Sequence, residues 1–308
     1  MGIFKIQKAV LLGLFFIYCL YAGLAHGQST PAFWKVASNT GTLYLMGSMH
    51  FGSDDFYPLP QEVQAAFASS DILVVEVDIS RLDPQKLKAS LFKHGGMPSG
   101  KRLSDYLSKE DQKKLAKIAA KHQWPGSIFE PFQPWFAGMQ LVERALTQQN
   151  LRADLGVDFH FLKNTSHQRV EALETLEQQL KIFSDSPIEE QVKFLRQTVD
   201  DLENSEEYFS VMEQAWVSGD IDALYSKLIL PYVNKEETKK IFKRLFGDRN
   251  DSMSDAADRY LKGNQTVFFM VGLGHMLGPD GIVAQLKQRG YRVDRVKYKT
   301  ATKNNSEA

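Results

Sequence analysis

Thr42-Leu-Tyr-Leu-Met-Gly47-Ser-Met-His50-Phe-Gly52 and, near the other end of the chain, Thr266-Val-Phe-Phe-Met-Val-Gly272-Leu-Gly274-His275-Met-Leu-Gly278 are two versions of one unit. In each, a β-prone apolar run delivers a glycine-flanked histidine into a loop, and a helix and another strand follow. Glycine permits close backbone approach and positive φ, so each histidine can leave a strand's C-terminal end at a sharp turn. In α/β sheets that edge is where ligands bind. The two histidines stand 225 positions apart, so only the fold can bring them together. One shared site is the expectation. The imidazoles should then lie within about 8 Å of one another, which leaves room for metal–ligand bonds or one bridging water. Glu76 should face the same pocket.

Outward from these units the pattern is α/β at the ends and helical in the middle. Residues 33–37 and 42–47 predict a hairpin turning at Asn39-Thr-Gly41. Pro60 opens a helix with Val63, Ala66 and Phe67 on one face. Ile72-Leu-Val-Val-Glu76-Val77 is a near-continuous apolar strand of the kind buried on both faces. Residues 81–100 read as a loop-rich passage. Ser108-x-x-Asp111 is a capping box for a helix with Leu115, Ile118 and Ala119 inward. Another helix falls at about 135–149, Gly156-Val-Asp158 leads one more, and Arg169 to Leu173 reads as a strand. From a second capping box at Ser186-Pro-Ile-Glu189 to Gly263 the pattern is helical, and Gly219 is a candidate C-cap. Strand, helix and strand return at 266–271, 281–289 and 291–296. The expected fold is a mixed central sheet built from two related strand-GxxH-helix-strand ends, with a largely helical middle section covering it.

Residues 1–27 place Lys5 and Lys8 before an apolar stretch that ends at Ala25-His26-Gly27, which is the layout of a secretory signal peptide. An uncleaved N-terminal anchor is the alternative, and through it alone would the chain meet a membrane. Export to the periplasm or the exterior follows as an expectation. Residues 28–300 then form a single domain with a helical insertion at about 180–263, and 301–308 a polar, disordered tail. Cys19, the one cysteine, lies inside the leader, so the remainder has neither a thiol nucleophile nor a cysteine metal site. Basic and acidic residues balance at 37 each, which gives no reason to expect nucleic acid.

His50 alone would be an ordinary loop residue; its match with His275 gives both a functional reading. Glu76, inside an apolar run, cannot be buried ionised without a partner. It is otherwise the exposed end of its strand. Glu174 ends the strand after Arg169 in a comparable position. Asp158 reads equally as a helix cap. Arg249-Asn250, between two helices, offers donors for an anionic group or a carboxylate, although such a pair in a turn usually faces solvent. His94, His122, His160 and His167 lack metal-ligand spacing and read as surface residues. No Gly-x-Ser-x-Gly elbow, His-Glu-x-x-His helix, phosphate loop or dinucleotide fingerprint is present.

These residues resemble the TraB/GumN family, related to the TIKI proteins. The likeness rests on Leu45 to His50 with Tyr57-Pro-Leu-Pro60, Leu73 to Asp78, Gly156-Val-Asp158, Leu173 to Gln179, Arg249-Asn250 and Val271 to Gly281, and it spans roughly 34–298. It implies a single α/β domain with helical elaboration. The TIKI members are metal-dependent proteases that use both Gly-x-x-His motifs, which implies a metallohydrolase here, most naturally a peptidase. Wider relatives include erythromycin esterases and ChaN-like haem-binding proteins. On this reading His50, His275 and Glu76 or Glu174 hold one divalent cation, and donors without thiolate suit Mn, Co, Fe or Zn. The second carboxylate is then the general base, and Arg249 or Asn250 steadies the developing oxyanion. Two rivals stand beside it: a metal-independent hydrolase with His50 as base and Glu76 as its partner, and a non-enzymatic periplasmic protein that binds haem or a peptide. The expected partner is a peptide or small-molecule substrate.

Overall fold

The computed structural model describes residues 29–299 apart from 204 and 237. The expected leader at 1–27 and tail at 301–308 lie outside the described residues. Six strands form one sheet: β1 (Phe33–Ala37), β2 (Thr42–Ser48), β3 (Ile72–Val75), β4 (Arg169–Ala172), β5 (Thr266–Gly272) and β6 (Arg292–Arg295). Their order is β4-β3-β5-β2-β1-β6. β1 and β2 pair antiparallel as the predicted hairpin, and β6 adds antiparallel to β1. β4, β3, β5 and β2 run parallel.

The inner parallel strands β3 and β5 are buried on both faces, which is why they read as unbroken apolar runs, whereas the edge strand β4 is partly exposed. All four residues of β3 are buried, as are Val267 to Val271 of β5. Successive strand residues point to opposite faces. Phe268 accordingly meets Phe67 and Phe161, at ring separations of 5.4 and 4.8 Å, from the helices Gln61–Ala68 and Val157–Lys163. Phe269 turns the other way, toward Tyr260 of the helix Asp248–Leu261. The helices Leu176–Ser184, Ile188–Leu202 and Ser205–Ser218, with shorter pieces after them, make the cover over the sheet edge. Trp216 ties the cover down: fully buried and stacked 4.3 Å from Phe56, it donates its indole N–H to the Gly47 carbonyl at 3.1 Å.

Three local expectations are corrected. Residues 81–100 contain a helix, Pro84–Gly95, started by Pro84 and by Asp83, whose carboxylate accepts from the Gln85 and Lys86 amides. Ser186 caps nothing: Pro187 is the N-cap of the following helix, and the Ser186 hydroxyl donates to the Ile182 carbonyl. Arg249 and Asn250 do not lie between helices but in the first turn of Asp248–Leu261. That placement turns Asn250 inward and buries it.

Candidate active site

Each parallel strand delivers one residue to the same edge. His50 lies two positions past β2, Glu76 directly follows β3, Glu174 lies two past β4, and His275 three past β5. β2 and β5 are neighbours in direct register, Ser48 opposite Gly272, so the two glycine-histidine turns emerge side by side. Gly272 is the floor between them. A Cβ there would stand 3.1 Å from Glu76 Oε1, 3.6 Å from His50 Nε2 and 3.8 Å from His275 Cδ2. Both imidazoles thus lie within 4 Å of one point, which brings them inside the expected separation.

The outer nitrogen of each histidine is held from behind. His50 Nδ1 is 2.9 Å from Asp158 Oδ2, and Asp158 Oδ1 accepts the Ser48 hydroxyl at 2.7 Å. His275 Nδ1 is 2.6 Å from Asn250 Oδ1. The Asn250 amide is oriented by its own N–H, which donates to the Asp280 carbonyl at 2.9 Å. His275 therefore carries its proton on Nδ1 and presents a bare Nε2, and a neutral His50 does the same. His275 Nε2 lies 3.6 Å from Glu76 Oε1, two acceptors face to face and beyond hydrogen-bond reach.

Glu76 divides its two oxygens. Oε1 accepts the Gly272 N–H at 2.6 Å and faces the histidines. Oε2 pairs with the Arg249 guanidinium and accepts from the Gln179 amide at 2.9 Å. Arg249 also grips Glu174 bidentately, at 2.8 and 2.7 Å, and gives a further N–H to the Leu245 carbonyl. Burial opposes the charge on Glu76, but the facing histidines, Arg249 and the Gly272 amide outweigh it and lower its pKa to about 2. Asp158 raises His50 to about 9 against the cost of desolvation. The His50 side chain is 63% exposed and is one of the residues lining a pocket. Burial pushes His275 down to about 4 despite Glu76, so it is neutral near pH 7.

Above this polar floor is a cavity of about 550 Å³ with mostly apolar walls, among them Met49, Met139, Met212, Phe183, Phe246 and Leu273. Arg249 and Gln179 reach its edge, but Asn250 and Glu174 stand behind it. Asn250, with both ends of its amide engaged, positions His275 instead of facing a substrate, and Glu174 is committed to Arg249. The other histidines are elsewhere. His94 reaches Ser184, His122 stacks on Trp124, His160 packs half-buried between Tyr57 and Phe161, and His167 alone is plainly exposed. Three of the four are therefore packed rather than free at the surface. Sequence reasoning gave no role to Gln179 or Ser48 and left Asp158 evenly between a functional residue and a helix cap. Their sole signal was presence in the stretches that carried the family resemblance.

By type, two imidazoles and a carboxylate suit a divalent cation, and the outer-nitrogen partners match the arrangement that orients metal-bound histidine. The bare His275 Nε2 facing Glu76 Oε1 fits the same group. As the side chains stand, no three His, Asp or Glu among the described residues come close enough to share an ion.

A family model described as the TraB/PrgY/gumN family matches residues 32–295. The chain is similar to the uncharacterized protein YbaP of Escherichia coli K12, at 27% identity over 177 residues, which is 56% of this chain and 64% of YbaP. The match thus spans less than two thirds of that relative's length. An uncharacterized protein of Treponema pallidum is 20% identical over 273 residues, 83% of this chain and 80% of its own length. No solved structure matches.

Proposed function

The chain belongs to the TraB/PrgY/gumN family, and on that footing we propose that it is an exported, metal-dependent hydrolase acting on peptides. One observation carries the reading: His50 and His275 are each pinned through Nδ1, His50 Nε2 and Glu76 Oε1 meet over Gly272, and His275 Nε2 lies 3.6 Å from that same Oε1. His50, His275 and Glu76 would hold the cation (Mn, Co, Fe or Zn), which when bound supplies Lewis acidity and a water acidic enough to react near neutral pH. The surrounding charge supports this. Glu76, Glu174 and Asp158 outnumber Arg249 and a protonated His50 by one negative charge, and a cation that displaces the His50 proton would meet two. Asp158 and Asn250 fix the tautomers. Arg249 keeps Glu76 ionised and aimed, while the apolar walls hold a substrate's side chains against the floor and exclude bulk water.

The test is metal analysis of the purified protein with a peptide-cleavage screen run with and without chelator. His50→Ala and His275→Ala should each cost at least about a hundredfold in rate with the fold retained. The double variant should be scarcely worse, because the residues act as one unit. Glu76→Gln keeps the shape but loses the charge, and should lower metal content and rate together. Absence of chelator-sensitive turnover on any peptide, ester or amide sinks the metal reading.

A metal-independent hydrolase is favoured by one feature, the grip of Arg249 on Glu76. His50, paired with Asp158, would then be the base in its deprotonated form, which its pKa of about 9 confines to alkaline pH. Chelator-resistant turnover that disappears in His50→Ala identifies that case. Tight binding of haem or a peptide without product identifies a binding protein.

A further inference from the structure

Beyond the His275 ring lies a second cavity, about 180 Å³ against about 550 Å³ for the main pocket. Ile229, Phe242, Phe246, Gly274 and Leu277 line both, so the wall between them is a single layer of side chains. Phe246 is the centre of that wall. Its ring lies 5.2 Å from His275 and 5.7 Å from Phe242. A Cβ on Gly274 would come within 2.5 Å of the Phe246 ring, so the missing side chain there is what lets the ring lie over the floor.

The wall is built from unusual backbone. Ile229 ends the π-helical turn Tyr225–Ile229, and Phe246 sits in another, Lys243–Gly247. Single π turns cost hydrogen-bond quality and occur frequently at functional sites. Phe246 is also only partly buried and stands outside the hydrophobic core clusters, so core packing does not explain its position. Ile229, Phe242 and Leu277 give both chambers an apolar face, while Lys239, Lys243, Asn250 and Asp280 also line the smaller one and put polar groups at its rim.

We propose that the two cavities are halves of one binding site for an extended acyl or alkyl chain, with Phe246 as the gate that sets the length accepted. This names the group held beside the reacting centre. It rests on the pocket of the hydrolase reading but not on turnover, so the two fail separately.

The experiment is calorimetric titration of the apo protein with straight-chain alkyl carboxylates of graded length, each below its micelle concentration. Wild-type affinity should rise about fourfold per methylene and then level off where the main pocket is full. In Phe246→Ala the plateau should move out by about a third in chain length, the ratio of the two volumes. Val233 lines only the smaller cavity. Adding Val233→Trp should therefore return the plateau to its wild-type position without weakening short chains. Phe246→Trp, which keeps the wall closed, should leave the plateau in place, and circular dichroism checks that each variant is folded. A plateau unmoved by Phe246→Ala, or none in the wild type, overturns the gate. Failure of every chain length to bind overturns the ligand class.

Discussion

Asp158 and Asn250 act on the pocket without entering it, each through the histidine nitrogen that faces away from the ligand. In the proposed site this fixes ring orientation and tautomer, and loss of such a partner lowers metal affinity about 10- to 100-fold. Asp158→Ala and Asn250→Ala should each do so while leaving both histidines in place, as read by competition with a chelating dye. Unchanged affinity in both variants would show the cation sitting elsewhere. The histidines and Glu76 were legible in the sequence because strand-end position is written in local pattern: apolar run, glycine, polar residue. Their supporting partners were not. Asp158 and Asn250 pair with residues far away in the chain, and one sequence contains no record of such pairings. In isolation Asp158 looks like a cap and Asn250 like an exposed turn.

At the scale of elements, strands and amphipathic helices were read well because burial imposes their periods. The helix Pro84–Gly95 escaped for the same reason: Gly95 is its only buried residue and Phe92 is 49% exposed, so no apolar stripe marks it. The cover also contains a measurable joint. Asp111, 8% exposed on the helix Lys109–Lys121, takes both arms of Arg196 from Ile188–Leu202, at 2.7 and 2.8 Å. The Arg196 hydrogen bonds, with Ser108, outweigh burial and lower the Asp111 pKa to about 2. Because the folded pKa lies below the unfolded one, the joint stabilises fully above about pH 4. That stability disappears as pH falls toward 2. Asp111→Asn should cost about 1–2 kcal/mol at neutral pH, discounted for the half-exposed arginine, and only a small fraction of that at pH 2. Denaturant melts at the two pH values measure the difference, and an equal loss at both would place the effect in packing rather than charge.

At the scale of the molecule, the parallel character of the sheet was implicit in its double-sided apolar strands, but its order was not. β5 lies between β3 and β2, so these two strands, consecutive in the chain, are not neighbours. A chain ending before Thr266 should accordingly lack a cooperative melt and bind an exposed-surface dye, because β2 and β3 would have no partner between them. A truncated chain with a sharp transition would contradict this. Thr42 pairs locally with Ala37 but finds its parallel partner only at Thr266, a long closure that slows folding. During synthesis the sheet has a gap between β2 and β3 until the segment from Thr266 onward is made and fills it. That same stretch carries His275. The chain therefore acquires a closed sheet and a complete site in one event, and no nascent fragment possesses either.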